Sequence, residues 1–110
     1  MVQSVSAERA RELIDSGEIE LVDVRELNEW LTGHIDSARH VPLSRLRNNA
    51  KASLPRDKVI FVCAAGSRSN MAAQLALATG LKEVYNLSGG TRAWVAAGFA
   101  LVHSASQATG

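Results

Sequence analysis

The hydrophobic pattern of the chain alternates between short β-type runs and segments with helical spacing. Residues 19–24, 58–62 and 83–87 are rich in apolar and β-branched side chains, which is typical of strands covered on both faces of a parallel sheet. Residues 69–79 and 91–97 place apolar side chains at helical spacing instead. Because strand and helix patterns alternate, the sequence predicts an α/β domain with a mainly parallel sheet.

Further helices are predicted in the first half of the chain. Ser4 or Ser6 can cap a helix that Gly17 ends, because a hydroxyl there accepts from a free amide of the first turn. Residues 26–31 predict a short helix with Trp30 turned inward, and another helix follows Pro42. The inner face of the helix that Gly17 ends is predicted to hold Ala10, Leu13 and Ile14. The inner face of the helix after Pro42 is predicted to hold Leu43, Leu46 and Ala50. Residues 55–58 predict a turn.

The single cysteine, Cys63, lies between a predicted buried strand and a predicted helix. Free N–H groups of the intervening loop and of the first helical turn would point toward its sulfur, and the helix dipole adds partial positive charge. Gly66 permits a left-handed backbone there, and Arg68 supplies a permanent cation. Both the amides and the helix dipole favour a thiolate, so we predict that Cys63 is a nucleophile rather than a small core residue.

Composition narrows the class of protein. The 110 residues suffice for one domain, and the 46% apolar and 21% charged residues are ordinary for a globular chain. A net charge of +1 and only 5% aromatic residues argue against nucleic-acid binding. One cysteine allows no internal disulfide and no cysteine pair for zinc. Since no signal peptide and no membrane-spanning run is visible, we expect a cytoplasmic protein without membrane contact.

Polar residues near the ends of the first long strand invite functional roles. Asp23 and Arg25 are expected to lie on the same rim of the sheet as Cys63, where open α/β sheets bind ligands. We nevertheless expect both to belong to a structural ion-pair network, with Glu29 a candidate partner of Arg25. His34 is likewise expected to be a structural histidine and not a general base.

Four motifs stand in the order found in single-domain rhodanese sulfurtransferases, and the chain resembles that family over about residues 4–102. They are Asp23-Val24-Arg25, Gly33-His34-Ile35, the loop from Cys63 to Arg68, and Leu87-Ser88-Gly89-Gly90 followed by Trp94 and Ala97-Gly98. The resemblance implies a rhodanese-like three-layer domain over residues 1–102, with a five-stranded, mainly parallel sheet and helices on both faces. It also implies a short strand at residues 39–41 and a final turn, residues 88–90, that passes beside the cysteine loop. Residues 103–110 are expected to form a flexible tail.

The resemblance also implies a reaction. Cys63 would take the outer sulfur of thiosulfate or of a persulfide donor, become a persulfide, and pass that sulfur to cyanide in vitro or to a thiol in the cell. The residues expected to bind the donor are Ala64, Ala65, Gly66, Ser67 and Arg68. The partners are then small-molecule donors and acceptors, with a protein sulfur carrier as a further candidate. No metal or organic cofactor is expected.

Two alternatives remain beside this interpretation. Cysteine-dependent phosphatases and arsenate reductases also place a cysteine before an amide-lined loop ending in arginine, but phosphatase loops have five intervening residues and this loop has four. A binding module that has lost turnover is the other alternative. One departure bears on the substrate: many relatives that use thiosulfate have a basic residue after the cysteine, whereas this chain has Ala64 and then Ala65. We therefore expect an elevated Michaelis constant for thiosulfate.

Overall fold

A computed structural model describes residues 1–53 and 57–103, and the side chains of all of these except residues 50–53. Three predictions concern features outside this description. They are the inward orientation of the Ala50 side chain, the first part of the turn at residues 55–58, and the tail after residue 103. Asp57 and Lys58 form a bend, as predicted for the end of that turn.

Strands and helices alternate along the described chain. The strands are β1 (Gln3–Val5), β2 (Glu20–Asp23), β3 (Arg39–His40), β4 (Val59–Val62) and β5 (Val84–Leu87). The helices are α1 (Ala7–Asp15), α2 (Leu27–Leu31), α3 (Leu43–Ser53), α4 (Ser67–Ala78) and α5 (Gly90–Ala96). The backbone of α3 is kinked at Asn49, where φ is −156°.

The strands form one five-stranded sheet in the order β1-β5-β4-β2-β3, and all neighbouring strands are parallel. The predicted parallel sheet is confirmed, and β4 is its central strand. In the pairing register Asp23 of β2 lies opposite Val62, and Asn86 of β5 lies opposite Phe61. The carboxyl ends of three strands therefore surround Cys63, which follows Val62 directly.

Two hydrophobic clusters cover the two faces of the sheet. Alternate residues of β4 point to opposite faces, as in any strand. Val59 and Phe61 pack with residues of α3 and α4, whereas Ile60 and Val62 pack with residues of α1 and α5. All four side chains are completely buried. The three-layer arrangement implied by the resemblance is therefore present, and each face of β4 contributes to a separate core.

Some element boundaries differ from those predicted. β1 was not predicted, because an edge strand of three residues is too short to show a periodic pattern. Since Ser4 lies in that strand, it is Ser6 that caps α1: its hydroxyl accepts from the Arg9 N–H at 3.1 Å. Helix α4 begins at Ser67, two residues before the predicted start, because Gly66 adopts a positive φ of 111° and serves as its N-cap.

Candidate active site

Cys63 directly follows the central strand β4, and the next residues turn back to form an amide cradle beside its sulfur. The Gly66 N–H donates to Cys63 Sγ at 3.0 Å. The turn depends on the left-handed backbone of Gly66, a conformation that costs little for glycine. The whole Cys63 residue is only 1% exposed, so its sulfur lies at the floor of the loop.

The cradle changes the acidity of the thiol. Burial of the Cys63 sulfur opposes ionisation and would by itself raise the pKa. The nearby Ser69 hydroxyl and the N–H groups of Ser69, Gly66 and Ala65 each favour the thiolate, and together they outweigh that effect. The pKa of Cys63 is therefore lowered from the ordinary thiol value, in the direction that favours a nucleophilic thiolate.

A polar pair that the sequence analysis did not single out supports the loop from inside. The Ser69 hydroxyl lies 3.3 Å from Cys63 Sγ and donates to Asn86 Oδ1 at 2.5 Å. Asn86 Nδ2 in turn donates to the Gly66 carbonyl at 3.0 Å. Asn86 lies in β5, where Val84 and Leu87 are completely buried and Asn86 itself is 8% exposed. A polar residue within a buried strand is the signal that could have revealed this pair.

The turn between β5 and α5 forms the second wall of the site. The Thr91 N–H donates to the Cys63 carbonyl at 2.8 Å, and the Arg92 N–H donates to the Ala64 carbonyl at 3.2 Å. A Cβ on Gly90 would lie 2.3 Å from the Cys63 carbonyl oxygen and 2.5 Å from Ala64 backbone atoms. This confirms that the final turn passes beside the cysteine loop, and it explains why a glycine is required there. Trp94, as expected, belongs to the core and is 1% exposed.

Arg68 is held by a carboxylate from another helix. Its two terminal nitrogens donate to the two carboxylate oxygens of Glu29 at 2.6 Å and 2.9 Å. The direct partner of Glu29 is thus Arg68, whereas Arg25, the expected candidate, acts on the Glu29 carboxylate only through its charge. Glu29 also accepts from the Glu26 N–H as part of the capping box of α2. The Arg68 hydrogen bond is the main cause that lowers the pKa of Glu29 to about 2.

Asp23 and Arg25 form a buried structural pair, as expected. Arg25 Nη2 lies 2.8 Å from Asp23 Oδ2, and the two side chains are 6% and 0% exposed. Arg25 Nη2 also donates to the Gly33 carbonyl at 2.8 Å. The pair thereby ties the end of β2 to the segment that follows α2, which is a scaffolding role beside the site.

His34 lies in the core, in agreement with a structural role. It is completely buried, and its ring stacks on Trp30 with a centroid separation of 3.5 Å. His34 Nδ1 is 3.2 Å from the Trp30 carbonyl oxygen. His40 also stacks on Trp30, with a centroid separation of 4.8 Å, and His40 Nε2 donates to the Arg25 carbonyl at 2.8 Å. The stack therefore fixes the orientation of α2.

The side chains of Ala64, Ala65 and Ser67, which we call the mouth of the site, carry no charge. Ala64 is partly buried, and Ala65 and Ser67 are exposed. A groove of about 490 Å³ lies elsewhere, between the start of α1 and helix α5. The chemistry argued above therefore centres on a shallow cradle rather than on that groove.

The described residues provide no cluster of three or more metal-binding side chains. None of the helices in residues 1–53 and 57–103 has the length and apolar content that a bilayer span requires. Backbone N–H groups and the Ser69 hydroxyl lie against Cys63 Sγ, and the Arg68 guanidinium interacts with it through its charge; all of these groups suit an anionic sulfur species.

Comparison with known proteins identifies relatives of the whole domain. The thiosulfate sulfurtransferase GlpE of Coxiella burnetii is 31% identical over 96 residues, which make up 87% of this chain and 90% of that protein. YrkF of Bacillus subtilis, named as a candidate sulfur carrier protein, is 33% identical over 94 residues. That match covers 84% of this chain but only 51% of YrkF, so the chain spans about half the length of that relative.

A solved structure agrees with these relatives. The crystal structure of a rhodanese-related protein from Thermoplasma volcanium superposes with a TM-score of 0.79 at 34% sequence identity, covering 91% of this chain and 97% of that chain. The family profile described as the rhodanese-like domain matches residues 6–97, which include every element from α1 to α5. The chain therefore belongs to the rhodanese family.

Proposed function

We propose that this protein is a sulfurtransferase that carries a sulfane sulfur on Cys63. The observation that carries the proposal is the contact between Cys63 Sγ and the N–H cradle of its loop, with the Gly66 N–H donating at 3.0 Å. The lowered pKa of Cys63 favours the thiolate that the first step needs. Membership of a family that includes a thiosulfate sulfurtransferase supports the same chemistry.

The reaction has two displacements. The Cys63 thiolate attacks the outer sulfur of thiosulfate, a new S–S bond forms, and sulfite leaves with the electron pair of the bond that breaks. The product is a Cys63 persulfide anion. Cyanide or an acceptor thiolate then attacks the outer sulfur and leaves as thiocyanate or as a new persulfide, while the bonding pair returns to Cys63 as thiolate. No electron is gained or lost overall, so neither step needs an oxidant.

The cradle suits the intermediate. A persulfide places its negative charge on the outer sulfur, and backbone N–H groups stabilise an anion without a mobile counterion. Ala64, Ala65, Gly66, Ser67 and Arg68 make up the proposed binding loop. With four residues between the cysteine and the arginine, the loop encloses less space than a phosphatase loop, which favours one extra sulfur atom over a tetrahedral oxyanion.

The charge at the mouth favours donors less charged than thiosulfate. Ala64 and Ala65 bring no cation, and the positive charge of Arg68 is shared with the carboxylate of Glu29. Attraction to a dianion is correspondingly weakened. We propose that a low-molecular-weight or protein persulfide is used more readily than thiosulfate, with a thiol as acceptor. A thiolate-based cycle suits a reducing compartment, so we propose the cytoplasm as the location.

The test is the intact mass of the protein after incubation with thiosulfate or with glutathione persulfide, before and after cyanide. We expect a gain of one sulfur atom on Cys63, removal of that sulfur by cyanide, and formation of thiocyanate. Cys63→Ser is the control and should gain no sulfur, with unchanged circular dichroism. If neither donor adds sulfur while Cys63 can still be alkylated, the domain is a binding module and the proposal is wrong.

A further inference from the structure

The Ser69 hydroxyl has one proton and three acceptors within hydrogen-bond distance. Its Oγ lies 2.5 Å from Asn86 Oδ1, 3.2 Å from the Gly66 carbonyl and 3.3 Å from Cys63 Sγ. A hydroxyl makes one strong donation at a time, and it is free to rotate. The contact with Asn86 is the shortest of the three. When the sulfur is a thiol, the proton of Ser69 is therefore directed to Asn86, and its oxygen can accept from the S–H group.

The orientation of Asn86 makes it an acceptor toward Ser69. Its Nδ2 donates to the Gly66 carbonyl at 3.0 Å, so Oδ1 is the atom that faces the hydroxyl. Rotating the amide by half a turn would place Oδ1 against the Gly66 carbonyl, where two acceptors would repel each other. Asn86 is 8% exposed, so water is largely excluded as a substitute partner.

We propose that Asn86 is a positioning residue that competes with the Cys63 sulfur for the proton of Ser69. When the thiol loses its proton to solvent, the hydroxyl turns from Asn86 and donates to the thiolate. When Sγ becomes neutral again, the hydroxyl returns to Asn86.

One consequence of this inference rests on the proposed function. In a persulfide the inner sulfur Sγ is neutral and the charge lies on the outer sulfur, so the Ser69 proton again belongs to Asn86. Asn86 thereby favours the persulfide over the free thiolate. The competition itself needs no sulfur donor, because it concerns only ionisation of the thiol.

Charged groups around the sulfur contribute to its acidity as well. Arg68 of α4 interacts with Cys63, and Glu29 of α2 is paired with Arg68. Asp23 and Arg25, at the end of the neighbouring strand, are paired with each other. These groups stay unchanged when only Ser69 and Asn86 are substituted, so their contribution cancels in a comparison of variants.

The experiment is a double-mutant cycle on the pH dependence of Cys63 alkylation by iodoacetamide. It uses the wild type, Ser69→Ala, Asn86→Ala and the double variant. We expect Ser69→Ala to raise the pKa of Cys63 and to slow alkylation at pH 7 about threefold in the wild type but about tenfold in the Asn86→Ala background. The larger effect follows because the hydroxyl loses its shortest acceptor in the Asn86→Ala background, and only the Gly66 carbonyl at 3.2 Å still competes with the sulfur for its proton.

The cycle also separates this role from a merely structural one. Loss of the hydrogen bond between Asn86 and Gly66 loosens the loop whether or not Ser69 is present, so that effect cancels. Asn70→Ala is the matched control, since Asn70 is exposed next to Ser69 and should not change the pKa of Cys63. An effect of Ser69→Ala that is equal or smaller in the Asn86→Ala background would overturn the proposal.

A second variant covers the case in which Asn86→Ala does not fold. Asn86→Leu keeps the branched shape of the side chain and, like alanine, offers Ser69 no acceptor. The effect of Ser69→Ala should then again be larger than in the wild type, and an effect no larger than the wild type's would contradict the proposal. Failure of this cycle and failure of sulfur transfer are separate outcomes, because alkylation involves no sulfur donor.

Discussion

The guanidinium of Arg68 and the carboxylate of Glu29 form a two-point ion pair, with distances of 2.6 Å and 2.9 Å between residues 39 positions apart. The pair links the first turn of α4, next to the cysteine loop, to α2. It also neutralises much of the positive charge that the loop would otherwise present to an anion. We therefore expect the same two residues to affect both the stability of the fold and the binding of an anionic donor.

The first prediction concerns stability at low pH. The pKa of Glu29 is about 2 in the folded protein, below the ordinary value of 4.5, so its ionised form stabilises the fold above pH 4.5 and this stabilisation is lost as the pH falls toward 2. Glu29→Gln should lower the free energy of unfolding at pH 7, and the difference from wild type should shrink below pH 4.5. Urea unfolding of both proteins at pH 7, 4.5 and 3 measures this difference in the free energy of unfolding.

The exposed ion pair between Arg9 and Glu12 provides the control for this prediction. Both side chains are more than half exposed, so Glu12→Gln should change the unfolding free energy at neutral pH very little. A constant difference between Glu29→Gln and the wild type from pH 7 to pH 3 would contradict the linkage.

The second prediction concerns the anion donor. Arg68→Ala leaves the Glu29 carboxylate uncompensated at the mouth and should raise the KM for thiosulfate, whereas Glu29→Gln should lower it. Each change is expected to be about threefold at low salt and smaller at high salt, the scale of a partly exposed charge. Steady-state thiocyanate formation at two ionic strengths measures both. Changes of KM in the same direction would show that the ion pair acts only by ordering the loop.

The third prediction concerns the missing cation at Ala64. Because Ala64 is partly exposed next to Cys63, Ala64→Arg should lower the KM for thiosulfate about fivefold, and added salt should weaken this decrease. Ala78→Arg, at the exposed far end of α4, adds the same charge away from the site and should leave KM unchanged. If Ala64→Arg and Ala78→Arg lowered the KM equally, the net charge of the protein, and not a charge at the mouth of the site, would be the cause.

The fourth prediction concerns the close approach of Gly90 to the cysteine loop. A Cβ there would meet the Cys63 carbonyl at 2.3 Å, and φ is +62°. Gly90→Ala should destabilise the fold by more than about 2 kcal/mol and reduce sulfur transfer, because the loop must move. Gly98→Ala, at φ +94° with nothing within 4 Å of the added Cβ, isolates the backbone strain and should cost about 1 kcal/mol. Urea unfolding measures the free energy of unfolding of both variants. Equal losses of stability would show that the contact between the added Cβ and the Cys63 carbonyl has no effect.

Local pattern was sufficient to predict the central strand, the loop and the helix around Cys63. A buried apolar run, a glycine with a left-handed backbone and a helix with small inner side chains are all properties of neighbouring residues. The pattern also indicated the inward orientation of Trp94 and Leu46, which are 1% and 0% exposed. The nucleophile and its amide cradle could therefore be proposed from the sequence.

Tertiary structure decided the side-chain partners of that loop. Glu29 and Arg68 are 39 positions apart in sequence, and Ser69 and Asn86 are 17 positions apart. The members of each pair belong to different elements, so no helical or strand period relates them. These contacts depend on the strand order, which places β5 and β2 on the two sides of β4. Periodicity reports only which face of an element is buried, not which element lies beside it. The sequence alone therefore determined Cys63 as the candidate nucleophile, whereas the packing of the sheet and helices determined which groups surround its sulfur.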